Sequence, residues 1–181
     1  MTGIMMSAMN NINTYARSGL VYYVDAGNTA SYSGSGTSMT NISGSGIGAT
    51  AIANGATFTS AGSASYFTFN GTTQVGYTPT MLSLFNSPVN NNVTLEMWVR
   101  TSSDNGVVLS EQGNSPINSG WHDSQMEIVS GNLKMAVWTA AGYSTVLNVG
   151  AVTRNVWQQY VLTYDVASLT LRGYQIGRAH V

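Results

Sequence analysis

Cysteine is missing from this chain of 181 residues. Its absence excludes a disulfide framework and a thiolate metal site, and it leaves the redox compartment open, because secreted all-β domains also do without cysteine. Charge is scarce as well. Charged residues make up 7% of the chain, against roughly 25% in an average soluble protein, so Gly, Ser, Thr and Asn fill the polar positions and the surface they predict is neutral and hydrogen-bonding. Six basic residues face seven acidic ones with no cluster of Lys or Arg, which leaves nothing to neutralise a phosphate backbone and argues against nucleic acid as a partner. No apolar run approaches the ~18 consecutive residues of a spanning helix, so membrane insertion is not predicted. The opening MTGIMMSAMNN has neither a basic n-region nor a sustained apolar core, and it does not read as a secretory signal.

What the chain does have is period-two alternation. In VTLEMWVRTSSDNGVVLSEQ, residues 93–112, Val93, Leu95, Met97 and Val99 fall on one face of an extended strand and Thr94, Glu96, Trp98 and Arg100 on the other. One face is therefore built for burial. The connecting SSDNG supplies residues that bond their own backbone or accept a positive φ, so a hairpin is expected between the two runs.

Strand signals recur on both sides. GLVYYVD, residues 19–25, is rich in β-branched and aromatic residues and ends at a turn. Residues 31–55 carry six glycines and no sustained period; they read as a flexible linker or as a long ordered loop anchored by Met39, Ile42, Ile47 and Ile52. Short strands are expected at 57–60, 65–70 and 73–77, with Asn70-Gly71 as the turn joining the last two. Residues 79–86 offer one helical turn at most. Beyond residue 112, GNSPINSGWHDS reads as a polar loop carrying Trp121, His122 and Asp123. Strands follow at 125–129 and 133–139 across a tight SGN turn, at 143–149, and as a final pair, 156–165 and 168–174, across DVA. Short strands and no long helix make the chain all-β and antiparallel, in one domain at this length.

An ordered set of these pieces carries a resemblance. SGLVYYVDAGNTASYSGSGT, NISGSGIGATAIANGATF, YFTFNGTTQVGY, VTLEMWVRT, GNLKMAVW and VWQQYVLTYD together resemble the LamG-like jelly-roll domains of the concanavalin A-like lectin and glucanase superfamily, in the form seen in tailed-phage structural proteins. The resemblance implies an antiparallel jelly-roll β-sandwich over residues 18–175, preceded by an N-terminal arm, residues 1–17. Family members commonly carry Trp and Asp where this chain has Met39 and Asn41, and Asp where it has Asn70, departures that stop any metal site from being transferred. The last six residues, IGRAHV at 176–181, are similar to the translation of a common short-read sequencing adaptor and are set aside as an artefact. On that reading the sandwich is truncated, and an edge near GLVYYVD is expected to lack its partner.

Glucanases of this superfamily use carboxylates in an E-x-D-x-x-E pattern on one strand face. LEMWVR offers Glu96 alone, with Trp98 where the second acid would stand, while glycoside cleavage requires a pair at about 5 Å or about 6.5–9.5 Å. Catalysis would need Glu127 to approach Glu96. His122 beside Asp123 does not make a metal site, because adjacent residues on an extended chain point apart. Asp25, Asp104, Asp123 and Asp165 sit at strand ends or turns, where Asp bonds local amides. The resemblance allows Ca²⁺ on one or two of them, but six to eight oxygens are required and no such cluster is visible, so no cofactor or metal is assigned. Trp98, Trp138 and Trp157 suit a sheet core or its margin. Trp121 and Tyr143 sit at or beside loops and offer flat faces that suit a sugar ring, with His122 and Asp123 as polar neighbours. The expected function is therefore non-catalytic. It is a carbohydrate-binding or adhesion module of a phage virion or tail protein, its partners a glycan or cell-surface polysaccharide and other virion proteins. The rivals are a structural virion domain without ligand and a glycoside hydrolase.

Overall fold

A computed structural model describes residues 2–5, 18–79, 92–114, 119–139 and 142–176; for 2–5, 113–114, 119–123, 139 and 143 the description covers the backbone alone. Every regular element among the described residues is a β-strand, and every strand pair described is antiparallel. No helix among them is long and apolar enough to cross a membrane. A short strand β1 (Thr2–Met5) opens the described chain, and the described residues from 18 on fall into two compact units, 18–79 and 92–176.

The first unit contains β2 (Ser38–Met39), β3 (Thr50–Ala53), β4 (Thr57–Thr59), β5 (Tyr66–Phe69) and β6 (Val75–Tyr77). β3 lies between β2 and β6, while β4 pairs with β5. Its core gathers Val24, Ala26, Tyr32, Met39, Ile52, Phe67 and Phe69. Tyr32 meets Phe58 and Phe67 edge-on, with ring centroids 4.8 and 4.9 Å away, the arrangement favoured by aromatic quadrupoles. Of the four expected anchors in the Gly-rich stretch, Met39 and Ile52 are buried and Ile42 and Ile47 half-buried, so this stretch is ordered.

Two expectations fail here. The run at 19–25 is not a ladder strand. Asn41 takes the place of a neighbouring strand: its Oδ1 accepts from the Tyr23 amide at 2.9 Å and its Nδ2 donates to the carbonyls of Val21 and Ile47. β-propensity specified an extended backbone, and a loop side chain satisfied it. Asn suits this position in a way that Asp could not, because a carboxylate has no proton to give to two carbonyls. Asn70-Gly71 is likewise not a hairpin turn, since β5 pairs with β4 and β6 with β3. The Asn70 Oδ1 instead accepts from the amides of Thr72, Thr73 and Gln74, a side-chain-bonded corner that carries the chain from one sheet to another.

The second unit runs through β7 (Val93–Thr101), β8 (Gly106–Asn114), β9 (Ser119–Val129), β10 (Asn132–Met135), β11 (Trp138–Thr139), β12 (Gly142–Tyr143), β13 (Leu147–Ala151), β14 (Gln158–Asp165) and β15 (Thr170–Ile176). One layer holds β7, β14 and β15 side by side, and a second has the order β13-β10-β9-β8. Met97 and Val99 of β7 and Tyr160, Leu162 and Tyr164 of β14 share one core with Val108, Met126, Ile128, Leu133 and Met135 from the other layer. This unit is a two-layer β-sandwich.

The alternation in β7 buries the expected face, with Val99 fully enclosed, Met97 buried and Leu95 packed half-buried against the core. The expected hairpin with β8 is wrong. β7 pairs with β14, Leu95 opposite Leu162, and β8 pairs with β9 in the facing layer, so SSDNG is an arch between layers. The SGN turn and the closing pair are as expected. Ser130 and Gly131, at φ 49° and 74°, make the two-residue turn of positive φ that joins β9 to β10, and β14 meets β15 from Asp165–Thr170 to Gln159–Ile176. The helical turn expected at 79–86 lies outside the described residues from 80 on.

Candidate functional site

The four residues singled out from sequence occupy strands. Trp121, His122 and Asp123 belong to β9, where His122 pairs with Gln112 and Asp123 with Glu111. The polar loop expected over 113–124 is thus, from Ser119 onward, the arm of a long hairpin. Tyr143 lies in β12 opposite Trp138. The side chains of Trp121, His122, Asp123 and Tyr143 lie outside the described residues.

Among the described side chains, polar groups converge at one end of the β7-β14-β15 layer. The register sets them there. Thr163 of β14 stands opposite Thr94 on β7 and opposite Arg172 on β15, so the three form one row across the outer face, with strands about 4.8 Å apart. Asp165, two residues along β14, continues that face. A shallow cavity of about 240 Å³ is lined by Asn92–Thr94, Thr163–Asp165 and Arg172. It is smaller than the ~300–1,000 Å³ of drug-sized pockets, and it suits one ring rather than a whole small-molecule ligand.

The bonding inside this cavity is incomplete. The Asp165 Oδ1 accepts from both the amide and the hydroxyl of Ser168, each at 2.8 Å, and these bonds hold the Asp165 carboxyl below its ordinary range. Oδ2 is left over. The Asn92 Oδ1 accepts from the Val166 amide at 2.9 Å, leaving its NH₂ group facing outward from that bond. The side chains of Thr94, Thr163 and Arg172 make no hydrogen bond among the described residues, although Arg172 adds a favourable charge to Asp165. The cavity therefore combines unspent donors with one unspent carboxylate oxygen.

The other candidates are arranged differently. Glu96 lies on β7 and takes a hydrogen bond from the Gln159 side-chain Nε2, whereas Glu127 lies on β9 opposite Lys134; the two carboxylates weighed for catalysis belong to different layers. The Asp25 carboxylate is bonded by the Gly27 amide and the Tyr23 hydroxyl, Asp104 by Arg154, and Asp165 by Ser168. These carboxylates are dispersed over separate turns and strand ends, and they do not assemble the oxygen shell Ca²⁺ requires; no group of three or more His, Asp or Glu fit for a metal occurs among the described residues. Trp98 and Trp157 are half-buried, the latter under the Arg100 guanidinium at 5.2 Å; Trp138 is 37% exposed.

Sequence reasoning missed Asn92, Thr94, Thr163 and Arg172. The alternation that puts Thr94 opposite the buried face was readable, but the register that aligns it with Thr163 and Arg172 joins residues some seventy positions apart, and no local pattern carries that. Compared with known proteins, the chain matches no family model, no curated protein and no solved structure.

Proposed function

We propose that this chain is a non-catalytic carbohydrate-binding or adhesion module of jelly-roll type, acting within a phage virion or tail structure. Its ligand is a glycan or cell-surface polysaccharide, and its neighbours are other virion proteins. One observation carries the reading: hydroxyl and guanidinium groups without side-chain bonds, and an amide and a carboxylate each bonded through one oxygen only, converge on a shallow cavity at the end of a sheet. Buried groups of this kind would be costly to leave unpaired, but at a solvent-open cavity they are available to a polyhydroxylated ligand. The scarcity of charge over the chain fits the same chemistry, because a neutral, hydroxyl-rich surface exchanges hydrogen bonds with sugars at little desolvation cost.

A glycan array probed with the whole chain, with and without Ca²⁺, tests the reading. Retention of a defined subset of glycans in both buffers is expected. Uniform failure to retain any glycan would leave the ligand-free structural domain as the better account.

A further inference from the structure

Resting on that glycan-binding reading, we infer that the cavity bounded by Thr94, Thr163, Asp165 and Arg172 takes a single neutral sugar ring, gripped through adjacent hydroxyl groups without a metal. The first argument is the mixture of partners. A sugar hydroxyl donates one hydrogen bond and accepts others. The cavity offers an acceptor-only oxygen, Asp165 Oδ2, and a donor-only group, Arg172, within one open depression. Neighbouring hydroxyls answer both at once: one gives its proton to Asp165 while the next accepts from the guanidinium, and charge assistance strengthens each bond. The Thr94 and Thr163 hydroxyls, which can turn either way, complete the row, which spans ~10 Å at two strand spacings.

The second argument concerns charge. Arg172 alone would favour an acidic sugar, but a ligand carboxylate drawn to it would also meet Asp165. The bonds from Ser168 keep Asp165 ionised to low pH, so repulsion persists throughout the physiological range. Neutral rings avoid it. The third argument concerns size and stacking. Tyr164 is 3% exposed and its ring is not available as a platform. Recognition therefore rests on hydrogen bonds, and single-site binding is weak, of the strength that repeated copies and a polymeric ligand multiply through avidity.

Affinity electrophoresis of the full chain through gels containing dextran, galactomannan or alginate tests this. Dextran and galactomannan are neutral, and alginate is a polymer of uronic acids. At least one neutral polymer is expected to retard the chain, unchanged by a metal chelator and flat from pH 8 to pH 5. Arg172→Gln and Asp165→Asn should each cut that retardation at least tenfold, while Glu127→Gln, on the other layer, leaves it intact. Competition on the unaltered chain needs no variant to fold: free glucose, galactose or mannose should release it and free galacturonate should not. If a polymer retards the chain but both cavity variants behave as the parent, the cavity assignment is overturned and the glycan-binding reading stands. Retardation by alginate alone, lost in Arg172→Gln and enhanced in Asp165→Asn, would overturn the neutral class. No retardation by any polymer, together with a silent array, would remove both.

Discussion

Arg154 and Asp104, fifty residues apart, are locked together: the Arg154 Nε donates to the Asp104 Oδ1 at 2.6 Å and its Nη2 donates to Oδ2. The pair fastens the arch that carries the chain from one layer of the second unit to the other. Backbone bonds close the same corner. Gly131 N donates to Asp104 O, Val152 N to Gly131 O and Asn155 N to Thr101 O, while the Asn105 side chain accepts from the Ser130 amide. The arch, the β9–β10 turn and the approach to β14 are thus one hydrogen-bonded assembly.

Within that corner the backbone should matter more than the charges. Arg154 and Asp104 are 53% and 42% exposed, and exposed pairs contribute about 0–1 kcal/mol. Arg154→Ala is expected to lower the unfolding free energy by less than about 1 kcal/mol, and high salt should erase the difference. Gly131 sits at φ 74°, where a Cβ costs about 1–2 kcal/mol, so Gly131→Ala should be the more damaging change. Urea titrations of the two variants, in low and high salt, read both effects; the reverse order would refute the assignment.

A tighter constraint governs β15. A Cβ built on Gly173 would lie 2.6 Å from Val149 Cγ2 and 2.8 Å from Met135 Sδ, well inside contact distance, although both obstacles are side-chain ends that give a little. Gly173→Ala is expected to cost about 1–3 kcal/mol, the range for overpacking. Adding Val149→Ala should recover part of the loss, because the two sites share one contact and their effects do not add. Purely additive losses in a double-mutant cycle would show that the clash is relieved elsewhere.

How far the sequence could be read follows from where each signal originates. Alternation along Val93–Val99 is a local property and correctly identified the buried face, because a one-residue slip would expose the whole set. The Ser130-Gly131 turn was legible for the same reason: its flanking runs pair with each other. SSDNG and Asn70-Gly71 carry equally good turn residues, yet both join strands of different sheets, and what decides this is the partner of β7 or β6, dozens of residues away. GLVYYVD failed because an extended backbone needs a bonded neighbour but not a strand, and Asn41 supplies one. The candidate cavity was illegible in the same way, since Thr163 becomes a site residue only when Thr94 and Arg172 are brought beside it.

Alkaline pH should separate two tyrosines whose hydroxyls are buried. Burial pushes the Tyr160 and Tyr22 hydroxyls up from 10.0 to about 12. The folded chain holds these protons more tightly than the unfolded one, so the associated stability is complete below pH 10 and is lost as pH rises from 10 through 12. The hydroxyls differ in bonding. Tyr160 donates to Gln158 Oε1 at 3.4 Å, whereas the Tyr22 hydroxyl oxygen is buried with no partner among the described residues. At pH 7, Tyr160→Phe is expected to cost about 0.5–1.5 kcal/mol and Tyr22→Phe to be neutral or stabilising; both should flatten the alkaline fall in melting temperature. A marked loss from Tyr22→Phe at pH 7 would show that its hydroxyl is satisfied after all.

Acid should act on the two units in opposite directions. Asp25 is the one Asp, Glu, Lys, Arg or His between residues 18 and 79, and it is 2% exposed. Burial raises its carboxyl above the ordinary value, more than the bonds from Gly27 and Tyr23 lower it. The folded form therefore takes up a proton more readily than the unfolded chain, so the first unit gains stability as pH falls from 7 into the carboxylate range and loses it again as pH rises. Asp165 has the opposite sign: Ser168 holds it low, and its contribution to the second unit is present above the unfolded carboxylate value and lost as pH falls through the folded one. Amide exchange, corrected for the intrinsic effect of pH, resolves the two. Peptides covering 24–32 should become more protected between pH 7 and pH 4, while those covering 160–170 should hold steady over that range and lose protection only as pH falls below about 4. Asp25→Asn keeps an acceptor for the Gly27 amide and removes the charge, so it should raise protection of 24–32 at pH 7 and abolish the pH response. Loosening of 24–32 in acid, or a weaker first unit in Asp25→Asn at pH 7, would mean that the ionised carboxylate holds this turn together.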